Sequence, residues 1–235
     1  SHLIGVGSLS YYIYTMGNVT YSGAGHSTPS KESEIKLFVN TMIAAYNAGV
    51  TAPSVRFKDK SGSKIQSVYM LYDPVNHIVL DDKNNGTISV NFQADDYNIL
   101  AGGQQLCVEF YKSCADDTSG AISVDGITGK VLRLKTDGED GLKITDSNGN
   151  VILPIERNGV KNCYPITNGA TYSLKYSSDE MGLFRTDTSG TILNEGAQAS
   201  TIYARVYTVY DSGSKVTPCG IAELSISAQE LFELD

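Results

Sequence analysis

Residues 22 to 28, SGAGHST, place a lone histidine, His26, in a Gly-rich turn. A turn of this kind between a strand and a helix can present backbone N–H groups to an anion, and a histidine there can act as a general base. The turn lacks the lysine of a phosphate-binding loop, and no Cys or Ser stands in a strand-to-helix elbow beside it. We therefore predict a hydrogen-bonded loop histidine and keep a catalytic His26 as the alternative.

Two acidic loops contain the oxygen ligands that calcium prefers. The spacing Asp146-x-Asn148-x-Asn150 begins like a calcium-binding loop, but Val151 occupies the glycine position and Arg157 that of the closing glutamate. Asn148-Gly149 is instead a strong hairpin signal, so we predict a turn and no metal site, with an irregular calcium site as the alternative. Further carboxylates stand nearby at Asp137, Glu139 and Asp140.

The cysteines and tyrosines leave several interpretations open. The four cysteines form no CxxC pair and therefore no zinc motif; they are disulfide-bonded in one of three pairings or are free buried thiols, and they lie at Cys107, Cys114, Cys163 and Cys219. Fifteen tyrosines with no tryptophan could stack on sugars or on a protein partner, but half-buried strand positions explain most of them.

The elements that must position these residues change character near Pro53. We predict that residues 1–51 form a strand-turn-helix segment, which could be the remnant of an α/β domain. YYIYT and NVTYS flank Met16-Gly17 as two strands, or as a strand and its approach, and a helix begins at Pro29 with Thr28 as its cap. The helix carries apolar residues at helical spacing, which are Ile35, Phe38, Val39, Met42, Ile43 and Tyr46.

Residues 52–235 alternate in short strands and turns. We predict strands in SVRFKD, SVYMLYD, TISVNFQA, QLCVEFY, KVLRLKT, LKITD, NVILPIE, TYSLKYS, TIYARVYTVYD and GIAELSIS. Short strands separated by turns at this spacing favour an antiparallel, immunoglobulin-like β-sandwich, formed as one sandwich or two sub-sandwiches. In residues 201 to 211, one face should pack on the core and the other should be an amphipathic, Tyr-rich surface. The two faces consist of Ile202, Ala204, Val206, Thr208 and Tyr210, and of Tyr203, Arg205, Tyr207 and Val209.

The net charge of −8 and the absence of clustered Lys and Arg along the sequence argue against a nucleic-acid partner. No apolar run reaches the length of a membrane span. A polar, tyrosine-rich chain with an even number of cysteines is typical of an exported protein, and we expect an extracellular or cell-surface location.

Residues 17 to 49, GNVTYSGAGHS followed by EIKLFVNTMIAAY, resemble the closing strand-turn-helix of glutamine-amidotransferase-like α/β domains. More specifically, they resemble a bacterial domain family of unknown function from large exported or surface proteins, in which a β-rich region ends in a motif like ELFELD. The resemblance implies a surface location and a β-sandwich, with no established activity. In amidotransferases a glutamate closely follows the histidine and a cysteine on an earlier elbow serves it. Glu32 and Glu34 come too late here, so no catalytic residue is carried over.

The sequence therefore predicts a non-catalytic β-sandwich module of an exported or cell-surface bacterial protein, with a role in adhesion or ligand display. We assign no catalytic, cofactor-binding or metal-binding residue and expect a surface protein or a carbohydrate as partner. The alternatives are a carbohydrate-binding module, which needs coplanar exposed tyrosines, and an amidotransferase-like hydrolase fragment that uses His26.

Overall fold

The computed structural model describes residues 13–16, 19–22, 32, 35–36, 39–40, 52–73, 78–80, 87–96, 104–114, 118–138, 141–182, 200–210 and 215–230. The chain divides into two compact units, Ser1–Thr51 and Ala52–Asp235. The division falls where the sequence changes character, next to Pro53.

The first unit contains the expected hairpin and helical residues. β1 (Ile13–Met16) and β2 (Val19–Ser22) pair antiparallel, with Met16 opposite Val19 across the turn. Residues 32, 35, 36, 39 and 40 are helical, and Lys36 Nζ lies 2.7 Å from Glu32 Oε1 one turn away. Ile35 and Val39 of the predicted apolar face are exposed in the described part of the chain. The other predicted members of that face lie outside the described residues.

The second unit consists mainly of two sheets. The six-stranded sheet has the order β11-β10-β14-β7-β3-β4. Its strands are β3 (Ser54–Lys58), β4 (Lys64–Ile65), β7 (Thr87–Asp95), β10 (Lys143–Thr145), β11 (Val151–Ile152) and β14 (Thr171–Ser177).

The nine-stranded sheet has the order β12-β13-β8-β15-β17-β5-β6, with β9 beside β8 and β16 beside β15. Its strands are β5 (Ser67–Asp73), β6 (Ile78–Leu80), β8 (Gln105–Ser113), β9 (Val131–Arg133), β12 (Ile155–Arg157), β13 (Val160–Ile166), β15 (Ser200–Tyr210), β16 (Lys215–Val216) and β17 (Gly220–Glu230). A short helix, Ser178–Met181, follows β14.

The two sheets form an immunoglobulin-like β-sandwich, as predicted. Strands β3, β7 and β14 occupy the A, B and E positions, and β8, β15 and β17 the C, F and G positions. Two features depart from a purely antiparallel immunoglobulin sandwich. β5 pairs parallel with β17, because the chain changes sheets between β3 and β5. Between β8 and β14 the chain forms β10, which pairs with β14, before it forms β13, which pairs with β8. In an immunoglobulin variable domain the strand that pairs with C comes first and the strand that pairs with E follows it.

One main hydrophobic core joins both sheets, so the described residues of the second unit form one sandwich rather than two. At its centre the Phe92 and Phe110 rings meet edge to face with centroids 5.2 Å apart, and Phe92 stacks on Tyr172 at 5.6 Å. An immunoglobulin domain places a tryptophan and a disulfide in this region. Here aromatic pairs fill the space between the sheets.

The turn predicted at Asn148-Gly149 is present, and Asn158-Gly159 forms a second Asn-Gly turn. Asn158 and Gly159 have φ of 51° and 76°, which is the two-residue hairpin turn that joins β12 to β13. Asp146 to Asn150 joins β10 to β11, and Gly149 takes a φ of 83°.

All ten predicted strand segments contain strands, but β13 and the short strands β4, β6 and β16 were missed. Pro165 lies inside β13 opposite Cys107, and a proline inside a run argues against a central strand. The pairing of β12 with β13 ends at Ile155 and Cys163, so β13 is a sheet edge at Pro165, where the missing N–H is tolerated.

Candidate functional site

The outward face of the nine-stranded sheet carries a charged network centred on Glu109 of β8. Arg205 and Glu109 lie opposite each other on β15 and β8, and Arg205 Nη1 donates to Glu109 Oε2 at 3.0 Å. The hydroxyl of Tyr111 donates to the same oxygen at 2.6 Å, and the hydroxyl of Tyr207 donates to Oε1 at 2.8 Å. The Glu109 carboxylate therefore accepts three hydrogen bonds and faces one cation.

The network is largely removed from water. The side chains of Glu109 and Arg205 are only 15% and 19% exposed. The guanidinium carbons of Arg205 and Arg157 lie 5.1 and 5.7 Å from the centroid of the Tyr207 ring, within cation–π range. Burial raises the pKa of Tyr111 and of Tyr207 above the ordinary tyrosine value, and the Glu109 carboxylate adds to both shifts. Both hydroxyls thus stay protonated and act as donors at neutral pH.

The segment from 118 to 130 covers part of this face. Ile122 and Val131 bond to each other through both of their backbone N–H and C=O groups, at 2.9 Å each. Ile127 and Val131 pack with Tyr111, and Tyr203 and Ile221 pack on that cluster. Arg205 Nε also donates to the Asp125 carbonyl at 3.3 Å. The predicted tyrosine surface of β15 is therefore wrong in part, since Tyr207 and Val209 are buried.

The four cysteines are free thiols. Cys107 and Cys163 are buried in one cluster with Tyr207 and Val209. A hydrogen bond to Cys163 and then burial raise the pKa of Cys107 above its usual value. Cys219 Sγ lies 3.4 Å from Asp125 Oδ2, and burial likewise raises the pKa of Cys219. Cys107 and Cys219 are therefore neutral near pH 7 and poor nucleophiles.

The outward face of the six-stranded sheet has a different composition. Its outward side chains are Ser, Thr, Asn, Gln and Asp95, the exposed Val151 of the edge strand β11, and five basic residues, Arg56, Lys58, Lys64, Lys143 and Lys175. We call this surface the cationic face. Asp95 pairs with Arg56 and accepts a hydrogen bond from Gln93 Nε2 at 3.1 Å. Lys58 Nζ donates to Gln93 Oε1 at 2.5 Å. Apart from the Asp95 carboxylate, the described strand residues on this face are neutral or basic.

A third surface is an apolar ridge formed by Val151, Leu153 and Ile155. These side chains are 60%, 71% and 43% exposed. The ridge runs from β11, an edge of the six-stranded sheet, to β12, an edge of the nine-stranded sheet. The three exposed apolar side chains alternate with Ile152 and Pro154 within five consecutive residues.

Several sequence predictions can be placed on the described residues. Asp146 builds a turn: its Oδ1 accepts from the N–H groups of Asn148 at 2.9 Å and Asn150 at 2.8 Å, and its Oδ2 accepts from Asn150 Nδ2 at 2.9 Å. These hydrogen bonds, that of the Asn150 side chain first, lower the pKa of Asp146. Asp137 lies in another loop, and Glu139, Asp140 and His26 lie outside the described residues. Within the described part of the chain, no three His, Cys, Asp or Glu residues are grouped to hold a metal ion.

The tyrosines are mostly structural where they can be placed. Tyr111, Tyr164, Tyr172, Tyr176 and Tyr207 are buried. Among the tyrosines whose side-chain burial the structure describes, Tyr69 alone is highly exposed, at 65%. Most tyrosines whose side chains are described therefore pack in the sandwich, and the carbohydrate-binding alternative stays a prediction.

Sequence reasoning missed both the Glu109 network and the cationic face. Glu109 stands in QLCVEFY as one acidic residue in an apolar strand, and this is the available signal that it has a charged partner. The cationic face is assembled from one or two basic residues on each of four strands, so strand pairing was needed to find it. Among the helical residues described, none forms a helix with the length and apolar character of a membrane span.

No protein-family model matches the chain, and no curated protein matches it. Solved structures match only loosely. The C-terminal domain of the Streptococcus agalactiae AgI/II polypeptide BspA is 12% identical with a TM-score of 0.30, over 75% of this chain and 50% of that one. This chain thus spans about half of that protein chain. AvmM, which catalyses macrocyclization in alchivemycin A biosynthesis, is 12% identical with a TM-score of 0.31, over 77% and 91% of the two chains. Murine CRIg is 11% identical with a TM-score of 0.28, over 77% and 100%.

Proposed function

We propose that the chain is a non-catalytic binding module of an exported or cell-surface bacterial protein, with a role in adhesion, and that it contacts a protein partner through the apolar ridge. The observation that carries the proposal is the exposure of Val151, Leu153 and Ile155 within five consecutive positions. Contiguous exposed apolar side chains mark interaction sites on soluble proteins, whereas single ones are ordinary.

The position of the ridge supports this role. Val151 and Ile155 lie on edge strands, and Pro154 between them has no N–H to offer a neighbouring strand. A partner would therefore be held mainly by side-chain burial rather than by extending a sheet. Burying a side chain such as Leu153 is worth about 1.5–3 kcal/mol, which is roughly a tenfold to hundredfold change in affinity.

The chemistry of the Glu109 network also favours binding over catalysis. The Glu109 carboxylate already accepts hydrogen bonds from Arg205, Tyr111 and Tyr207. The pKa values of both tyrosines are raised, which moves them away from neutrality rather than toward it. A general acid or base works best with a pKa near the working pH. The hydrolase alternative depends on His26, outside the described residues, and stays a prediction.

The test measures binding of the full chain to a panel of immobilised extracellular proteins by biolayer interferometry. We expect saturable binding to at least one protein and a loss of about tenfold or more in Leu153→Ser and in Ile155→Ser. Tyr69→Ser is the matched control, because Tyr69 is equally exposed but lies near the opposite edge of the nine-stranded sheet. Binding to no panel member, or equal losses in the control, would contradict the proposal. If the partner is a second copy of the chain, sedimentation velocity would show a dimer that Leu153→Ser disrupts.

A further inference from the structure

We propose that the cationic face is a separate binding site for an acidic polysaccharide. The site combines Arg56, Lys58, Lys64, Lys143 and Lys175 with the hydroxyl and amide side chains between them. Its ligand is a sugar polymer that carries carboxylate or sulfate groups.

The first argument is the pairing of like charges. Lys143 lies directly opposite Lys175 on β10 and β14, and Lys58 lies directly opposite Lys64 on β3 and β4. Like charges opposite one another destabilise a sheet. Lys64, Lys143 and Lys175 are exposed, and none of them makes an ion pair or side-chain hydrogen bond with the described residues. An anion bound beside each pair would remove this repulsion.

The second argument is the contrast with the rest of the chain. The whole protein carries a net charge of −8, yet the strands of this face carry five basic side chains against the carboxylate of Asp95. Basic residues are thus concentrated on one surface of an acidic protein. Such a concentration attracts polyanions locally although the protein as a whole repels them.

The spacing of the two lysine pairs suits an extended polymer. Strand β7 runs between them, and the pairs are separated by three strand-to-strand steps, or about 14 Å. A polymer that crosses the strands can place separate acidic groups at each pair. A single small anion can reach only one.

The neutral residues between the pairs indicate sugar. Ser89 and Asn91 of β7 and Ser173 of β14 are half-buried and point outward. They line a cavity of about 350 Å³ together with two lysines, one carboxylate, a serine and three apolar residues, which are Lys58, Lys60, Asp59, Ser67, Ile65, Val68 and Val90. Hydroxyl and amide groups can donate to and accept from sugar hydroxyls. The cavity falls within the size range of small-ligand sites, so it can hold a unit of the polymer.

A polysaccharide fits this face better than a nucleic acid does. The outward residues described on these strands include no aromatic ring, because Phe57, Phe92, Tyr172 and Tyr176 all point into the core. Proteins that bind single-stranded nucleic acids stack the bases on aromatic side chains. The face offers hydrogen bonds and charge instead.

The experiment compares the full-length wild type with two double variants by isothermal titration calorimetry. The probes are dextran sulfate, polygalacturonate, neutral dextran and a short DNA duplex. We expect the wild type to bind dextran sulfate or polygalacturonate in a salt-sensitive manner and to bind neutral dextran at least about tenfold more weakly. Lys143→Gln/Lys175→Gln should weaken binding of the charged polymers about tenfold or more, with unchanged or higher Tm because the repulsion is removed.

Lys130→Gln/Lys161→Gln is the matched control, because it removes the same charge from exposed positions away from the face. Binding in this control should stay close to that of the wild type. The proposal fails if both double variants lose affinity equally, if neutral dextran binds as well as the charged polymers, if none of the probes binds, or if the duplex binds more tightly than the polysaccharides. These outcomes are independent of the ridge variants, so this inference and the proposed function can fail separately.

Discussion

Replacing Glu109 by alanine tests whether the network on the nine-stranded sheet stabilises the sandwich. The substitution removes the acceptor for Arg205 and for the hydroxyls of Tyr111 and Tyr207, which bond to it at 3.0, 2.6 and 2.8 Å. It leaves the Arg205 guanidinium, only 19% exposed, without its carboxylate partner. We expect the free energy of unfolding to fall substantially.

The magnitude follows from the burial of the ion pair. Breaking a buried pair by removing one partner costs about 3–5 kcal/mol, because an uncompensated charge stays behind. Each lost hydrogen bond to a charged group would account for about 1.5–3 kcal/mol alone, but these losses are not additive, since the freed hydroxyls can turn toward other acceptors. We therefore expect about 3–5 kcal/mol in total, a large part of the roughly 5–15 kcal/mol that stabilises a domain.

Urea denaturation followed by fluorescence measures this change. Glu156→Ala is the control, since Glu156 is an exposed carboxylate on the same sheet, and it should change stability by no more than about 0.5 kcal/mol. A Glu109→Ala/Arg205→Ala double-mutant cycle isolates the pair. A loss below about 1 kcal/mol in Glu109→Ala, equal to that of an exposed pair, would refute the reasoning.

Three further predictions concern buried hydroxyls and the acidic turn. Tyr164→Phe should leave the urea midpoint unchanged or raise it, because the buried Tyr164 hydroxyl has no hydrogen-bond partner among the described residues; a drop of more than about 1 kcal/mol would reveal a partner. Burial raises the pKa of Tyr111, Tyr164 and Tyr207, so stability should be unaffected by them below about pH 10, where unfolded tyrosine titrates, and should fall as the pH rises further; equal midpoints at mildly and strongly alkaline pH would contradict this. Millimolar calcium should leave the Tm unchanged, because the Asp146 oxygens already accept hydrogen bonds; a rise abolished by Asp146→Asn would show a bound ion.

The architecture was predictable because its signals are local. Alternation in TISVNFQA placed Ile88, Val90 and Phe92 on one face of a strand, and all three are in the core. Asn148-Gly149 identified a turn because glycine adopts the positive φ that few residues do. β13 was missed because it contains Pro165. The proline is tolerated because β13 has no strand on one side at that position, and the sequence alone does not show where the pairing with β12 ends.

The candidate surfaces depend on long-range pairing, which one sequence does not contain. Glu109 and Arg205 are 96 residues apart and become a pair only through the register of β8 and β15. Lys143 and Lys175 face each other through the register of β10 and β14. The absence of clustered Lys and Arg along the sequence was therefore a poor guide to the clustering of charge in space.

Amide hydrogen exchange on the full chain, with and without a protein that binds it in the panel, tests the central claim most directly. If the apolar ridge is the contact surface, exchange should slow in residues 151–157 on binding. It should stay unchanged in β8, which is a central strand between β13 and β15. Protection confined to residues outside 151–157, with these amides exchanging at the rates of the unbound protein, would contradict the account.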